Sequence, residues 1–146
     1  MNIHIADDHS LVLEGFKKVL GANGINVVGT SLNGDALIDW LKHHKADVVV
    51  LDRSMPPGKS GIEVLKYFKD NNIDQKVIVV SFSLETEHLL KTIEYGGKGY
   101  ILKEEATECI VPAIHKVYEG ETFYSEKVQK MLIDEHLLPD LSLIHI

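Results

Sequence analysis

Four places in this sequence carry groups that one chemistry would use together: Asp7–Asp8, Asp52, Ser81 and Lys103. Each follows an apolar run: IHIA before the aspartate pair, VVVL before Asp52, VIVV before Ser81 and GYIL before Lys103. Side chains at the carboxyl ends of separate parallel strands converge on one edge of a sheet. Clustered carboxylates there bind Mg²⁺, and one of them can serve as a nucleophile. A hydroxyl and an ammonium group can hold the oxygens of a phosphoryl group. The set points to reversible phosphorylation of an aspartate.

Each residue also has an ordinary reading. A carboxylate at 7 or 8 can cap a helix. Ser81 alone is a common turn residue, and Lys103 alone is a solvated strand end. Two adjacent carboxylates exceed what one cap needs. With Asp52 they place three negative charges at one edge, which is repulsive unless a cation is bound or a carboxyl is protonated. Oxygen-only donors on short side chains favour Mg²⁺.

The elements that must position these groups alternate regularly. Strands are expected at 2–7, 25–30, 47–52, 76–81 and 99–102, and helices at 10–21, 34–44, 61–71, 85–95 and 105–119. Alternation of this kind implies a doubly wound α/β fold with a parallel sheet covered on both faces. Val48–Leu51 and Val77–Val80 are apolar throughout, as strands buried on both faces should be. Asn33 is placed to cap the second helix, whose Leu37, Trp40 and Leu41 form an inward stripe. The last helix turns Ile110, Ile114 and Val117 inward, but Pro112 interrupts it, so the helix either starts near Glu108 or kinks. One more helix is expected over 125–136, with Ser125 as cap, and the tail LLPDLSLIHI shows no period.

Composition narrows the function. The chain has 146 residues, 45% of them hydrophobic, which suits one domain with a full core. A net charge of −7 argues against a surface that binds nucleic acid through its own basicity. The single cysteine, Cys109, excludes an internal disulfide and suits a reducing cytosol. No apolar run approaches the roughly 20 residues of a membrane span, and the start MNIHIADD is not a signal peptide. The expected location is cytoplasmic. Eight histidines are scattered without ligand spacing, so no histidine metal site is expected.

Together these pieces resemble the receiver domain of two-component response regulators. The matching segments are IADDHSLVLEGF, VVVLDRSMP followed by SGIEVL, VIVVSFS, and GGKGYILKEEA, within residues 3–124. The resemblance implies a flavodoxin-like (βα)₅ fold with strand order 2-1-3-4-5. It implies Asp52 as phosphoacceptor, with Mg²⁺ held by Asp7, Asp8, Asp52 and the main-chain carbonyl of Ser54. Ser81 and Lys103 would hold phosphoryl oxygens, and Tyr100 would be the aromatic that turns inward on activation. The implied partner is a sensor histidine kinase. ADDHSLVLEGF and IVPAIHKVYEGETFYS are similar, more narrowly, to the LuxR/NarL-type (FixJ-like) branch, whose members add a DNA-binding helix-turn-helix. We expect residues 1–124 to form the receiver and 125–146 a linker helix and tail. DNA contact would then run only through an output domain outside this chain. A homodimer would use either the face of the fourth helix, fifth strand and fifth helix, or the first and fifth helices.

Four positions depart from the family's pattern. Arg53, the only arginine, stands where an apolar residue is usual. The loop MPPGKSG is one residue longer, which puts Gly61 nine residues after Asp52. Phe82 replaces a small residue, and Glu104 replaces a common proline, so the usual cis peptide there is not encoded. None removes a reacting group. Two other readings compete: a pseudo-receiver that only binds protein, and an aspartyl-phosphate phosphohydrolase resembling the haloacid dehalogenase group. The second wants an aspartate two residues after the nucleophile, where this chain has Ser54. The first leaves the acidic triad, Ser81 and Lys103 without a role.

Overall fold

The computed structural model describes residues 1–135. The expected tail, and the last residue of the helix expected over 125–136, lie outside them. Strands β1 (Asn2–Ala6), β2 (Asn26–Ser31), β3 (Val48–Asp52), β4 (Val77–Ser81) and β5 (Gly99–Leu102) alternate with helices α1 (Ser10–Ala22), α2 (Gly34–Leu41), α3 (Gly61–Asp70), α4 (Thr86–Glu94) and α5 (Lys103–Tyr118). A two-residue strand β6 (Phe123–Tyr124) and helix α6 (Glu126–Asp134) follow. The sheet order is β2-β1-β3-β4-β5-β6, with every pairing parallel.

Period-two alternation divides the core into two layers. Ile3, Ile5, Val48, Val50, Ile78, Val80 and Ile101 face α1 and α5, where they meet Phe16, Leu20, Ile110 and Ile114. Val49, Leu51, Val77, Val79, Tyr100 and Leu102 face the other way, toward Leu37, Val64, Leu65, Leu89, Val128 and Leu132. β3, β4 and β5 are buried along their whole length. Polar groups that end them are therefore held by a rigid frame.

Several local expectations need correction. Residues 42–44 leave the second helix, and Ile38 joins Leu37 as its buried pair, with Trp40 half-buried as a semi-core residue. Asn33 does cap it, accepting from the Ala36 N–H at 2.8 Å. α5 starts at Lys103, two residues early, so Pro112 sits deep inside the helix and not in its first turn. The ring is on the exposed side, and burial of Ile110, Ala113, Ile114 and Val117 carries the helix past the missing N–H. Two residues have no readable period, so β6 went unforeseen. It forms because Gly120, at φ +94°, turns the chain back beside β5, where Gly99 and Tyr100 pair with Phe123 and Tyr124. Ser125 stands at the start of α6 without making a side-chain cap. Its hydroxyl instead accepts from the Leu102 N–H at 3.2 Å, tying α6 to β5. Among the described residues no helix is long and apolar enough to cross a membrane.

Candidate functional site

The carboxyl edge of β1, β3, β4 and β5 brings together the residues singled out from the sequence. Asp7 follows β1 and is fully buried, and Asp52 and Ser81, the last residues of β3 and β4, are nearly so. Lys103 opens α5 with a side chain only 4% exposed. Its Nζ lies 2.8 Å from Asp7 Oδ2 and 3.3 Å from Asp52 Oδ2. One ammonium group thus bridges two buried carboxylates. These are ion pairs by distance, but the Asp7 Oδ2 and Lys103 Nζ atoms lack any aligned hydrogen-bond partner.

Asp52 is caught between opposing effects. Burial raises its carboxyl most, the Lys103 charge pulls it down and the Asp7 charge raises it, and the balance leaves it at about 6. Asp52 Oδ1 accepts from the Ser54 N–H at 3.3 Å, which fixes the carboxylate from the loop side. At neutral pH the group is mainly an anion, the form a nucleophile needs.

The donor set fits a hard cation. Asp7, Asp8, His9 and Asp52 each offer a ligand atom, all within 4.8 Å of one another. Buried atoms Asp7 Oδ2 and Asp8 Oδ1 have no aligned donor, and carboxylate oxygens in this state suit Mg²⁺. His9 was not foreseen. Its N–H donates to Asp7 Oδ1 at 2.8 Å, and its Nδ1 lies 2.9 Å from Asp8 Oδ1. The only sequence signal was adjacency: His9 stands directly before α1 and so shares the edge with the aspartate pair.

The long loop after Asp52 is fastened at several points. Gly58 takes φ +108°, open mainly to glycine. Lys59 donates to Asp35 through both N–H and Nζ, and Ser60 and Glu63 cap α3 reciprocally. Gly61 is required for space, since a Cβ there would lie 2.5 Å from the Asp52 carbonyl oxygen. The longer loop is thus tied to α2 and α3, with Asp52 within ion-pair distance of Lys103.

Arg53 and Phe82 lie on the β4 side, while Glu104, in the first turn of α5, pairs with Lys127 of α6 at 3.0 Å. Phe82 is 70% exposed and its ring stands over Lys103 Nζ, 4.4 Å from the centroid. Arg53 reaches across from β3: its Nε donates to Ser81 Oγ at 3.1 Å and its Nη2 to Ser83 Oγ at 3.3 Å. Its Nη1 lies 3.4 Å from His88 Nε2 on α4. Ser81 Oγ donates to the Ser83 carbonyl at 2.8 Å, and the Tyr100 hydroxyl donates to the same oxygen at 3.3 Å. Tyr100 is fully buried, and burial raises its hydroxyl above the usual tyrosine range. Sequence reading singled out Ser81 and Tyr100 for the site, but not the Ser83 carbonyl that joins them, nor the side chains of Ser83 and His88.

The comparisons with known proteins follow this geometry. Residues 3–115 match the family described as response regulator receiver domain. The oxygen regulatory protein NreC of Staphylococcus epidermidis is 35% identical over 136 residues, covering 92% of this chain and 62% of NreC. The chain thus spans somewhat under two thirds of that relative's length. The isolated receiver domain of RcsB from Salmonella enterica serovar Typhimurium, solved with the phosphomimetic BeF₃⁻, superposes with a TM-score of 0.80. It is 33% identical and covers 89% of this chain and 96% of that one. The receiver domain of the putative response regulator NarL from Mycobacterium tuberculosis gives 0.77 at 30% identity, over 82% of this chain and 97% of its own. With its acidic edge, its β2-β1-β3-β4-β5 order and these relatives, the chain belongs to the response regulator receiver domain family.

Proposed function

We propose that this chain accepts a phosphoryl group on Asp52 and uses it to switch the surface around α4 and β5. The observation that carries the reading is the buried Lys103 ammonium, within ion-pair distance of both Asp7 and Asp52. A carboxylate oxygen of Asp52 attacks phosphorus, a new O–P bond forms, and the bond from phosphorus to the donor's leaving atom breaks with its electron pair. The sensor histidine kinase of the same signalling pathway is the proposed donor. Lys103 moves from pairing Asp52 to pairing the phosphoryl oxygens, and Ser81 offers its hydroxyl to another. Asp7, Asp8, Asp52 and the Ser54 main-chain carbonyl would hold Mg²⁺, which supplies charge neutralisation during the transfer. The protein is then a phosphotransfer substrate that promotes its own phosphorylation, with no metabolite turned over.

We assign residues 1–124 to the receiver unit and 125–146 to a linker and tail. The α1–α5 side is the better supported of the two dimer faces. α6 packs on the α4 side of β5, with Val128 and Leu132 buried beside Leu89 and Tyr100. An apolar groove of about 250 Å³ stays open between Val12 and Phe16 of α1 and Ile110 of α5. A transcriptional output follows the LuxR-like resemblance, and RcsB, a relative in fold and sequence, has been solved as dimers bound to DNA.

The test is incorporation of phosphate from acetyl phosphate with Mg²⁺. Wild type should be modified and Asp52→Asn should not. Equal incorporation in the variant removes Asp52 as the acceptor.

A further inference from the structure

Ser81 has its hydrogen bonds filled in a way that works against its proposed task. The hydroxyl has one proton and two lone pairs. The proton goes to the Ser83 carbonyl at 2.8 Å. The lone pairs receive the Ser83 N–H and the Arg53 Nε–H, both at 3.1 Å. To donate to a phosphoryl oxygen, Ser81 must release the Ser83 carbonyl and rotate away from both donors. Two of the three ties come from the turn that Ser81 itself begins. The third comes from Arg53, and it is the charged one, of the kind that contributes most.

Arg53 is held at both ends. Its N–H donates to the Val80 carbonyl at 2.9 Å, and its carbonyl accepts from Gly61 at 2.8 Å. At the far end the guanidinium fork turns toward α4, reaching Ser83 Oγ and His88 Nε2. His88 can accept there only through an unprotonated Nε2, which puts its ring hydrogen on Nδ1. Glu85 Oε2 stands 3.3 Å from that Nδ1, near but unaligned. One side chain therefore links the residue after the phosphoacceptor to Ser81 and to the first turns of α4. Each of its three nitrogens meets one partner, two serines and a histidine, and among the described residues no carboxylate pairs with it.

We infer that Arg53 is a positioning residue that holds the Ser81 hydroxyl turned toward Ser83, so that it sets how much phosphoryl binding is needed to switch the protein. The inference deepens the proposed function and rests on it. A phosphoryl group can shift the equilibrium only by its differential affinity for the two states. A tie that must break before Ser81 can turn to the phosphoryl group lowers apparent affinity by the fraction of molecules it holds back.

The experiment titrates beryllofluoride with Mg²⁺ into wild type, Arg53→Met, Arg53→Lys and His88→Ala, following the Tyr100 signals by NMR. Arg53→Met keeps the apolar stem, and loss of one charge-assisted bond should tighten apparent beryllofluoride affinity about tenfold. Without beryllofluoride, its Tyr100 signals should already lie part of the way along the line joining free and saturated wild type. A merely structural loss would move them off that line. Arg53→Lys has one ammonium for partners that span a fork, so it should fall between, and His88→Ala should shift the same way by less. Unchanged affinity in Arg53→Met removes the role. Weaker affinity would make Arg53 a phosphoryl ligand and overturns the inference outright. Wild type that fails to take beryllofluoride at all defeats the phosphoacceptor reading instead, so the two failures are distinct.

Discussion

The two halves of the pocket are built on opposite principles. On the β1–β3 side, Asp7, Asp8 and Asp52 crowd like charges together, with Lys103 the only ammonium group within ion-pair distance of Asp7 and Asp52 among the described residues. Buried oxygens there lack aligned donors. On the β4 side, Ser81, Ser83, Arg53, His88 and Tyr100 satisfy one another almost completely. The first half is under electrostatic stress that a cation and a phosphoryl group relieve. The second half is at rest and must be broken to respond. A switch needs both: a place where binding energy is gained, and a second arrangement that the gain can be spent against.

Removing a charge from the stressed half should give the largest effect. Asp8→Ala should abolish Mg²⁺ binding measured by calorimetry, and with it Mg²⁺-dependent phosphorylation. The metal-free fold should be retained and, through relief of like-charge repulsion, be at least as stable as wild type in urea. Undiminished Mg²⁺ affinity would break the assignment of this half.

Disabling the resting half should leave chemistry and lose communication. Ser81→Ala should still be phosphorylated, though more slowly, while the Tyr100 signals respond weakly to beryllofluoride. The reason is local. Ser81 and Tyr100 share the Ser83 carbonyl, so without the hydroxyl a phosphoryl oxygen has nothing to pull. Wild-type shifts at Tyr100 in this variant would show that the signal leaves by another route.

The same contrast explains what could be read from the sequence. Asp7, Asp8, Asp52, Ser81 and Lys103 could be singled out because a parallel sheet fixes where a strand's last residue goes, and apolar runs show where strands end; Tyr100, inside β5, was named only through the family resemblance. The same pattern gave a parallel sheet covered on both faces, while the strand order came from the family resemblance. The Arg53 network was not legible. A long, flexible side chain can reach many partners, and nothing in the sequence separated by 28 or 35 positions announces that Arg53 meets Ser81 and His88. The Ser125 contact was hidden for a related reason. Capping was a sound local expectation, but the Ser125 hydroxyl accepts a tertiary hydrogen bond from the Leu102 N–H instead. Pro112 misled because propensity was weighed without the burial that overrides it.

A third region calibrates the other two, because it holds a buried ionisable group outside both halves of the pocket. His4, in the middle of β1, is fully buried. Its Nε2 lies 2.7 Å from Ser31 Oγ, and its ring packs on Trp40 at 4.3 Å between centroids. Burial first, and the nearby His44 second, lower it from 6.5 to about 4. The folded protein thus refuses a proton that the unfolded chain accepts below its ordinary value of 6.5. His4 takes nothing from stability at pH 7, and its penalty grows as pH falls from 6.5 toward 4. Near the lower end the loss should be on the order of 2–3 kcal/mol, and it levels off once the folded form also protonates. Urea unfolding at stepped pH, followed by Trp40 fluorescence, measures this against His4→Asn, which cannot titrate. The variant should be less stable than wild type at pH 7 through lost packing, and the gap should narrow through that window. Carboxylates elsewhere titrate equally in both proteins, so only the difference reports His4. A constant gap from pH 7 to 4 would mean that the folded protein protonates His4 as readily as the unfolded chain does, despite its burial.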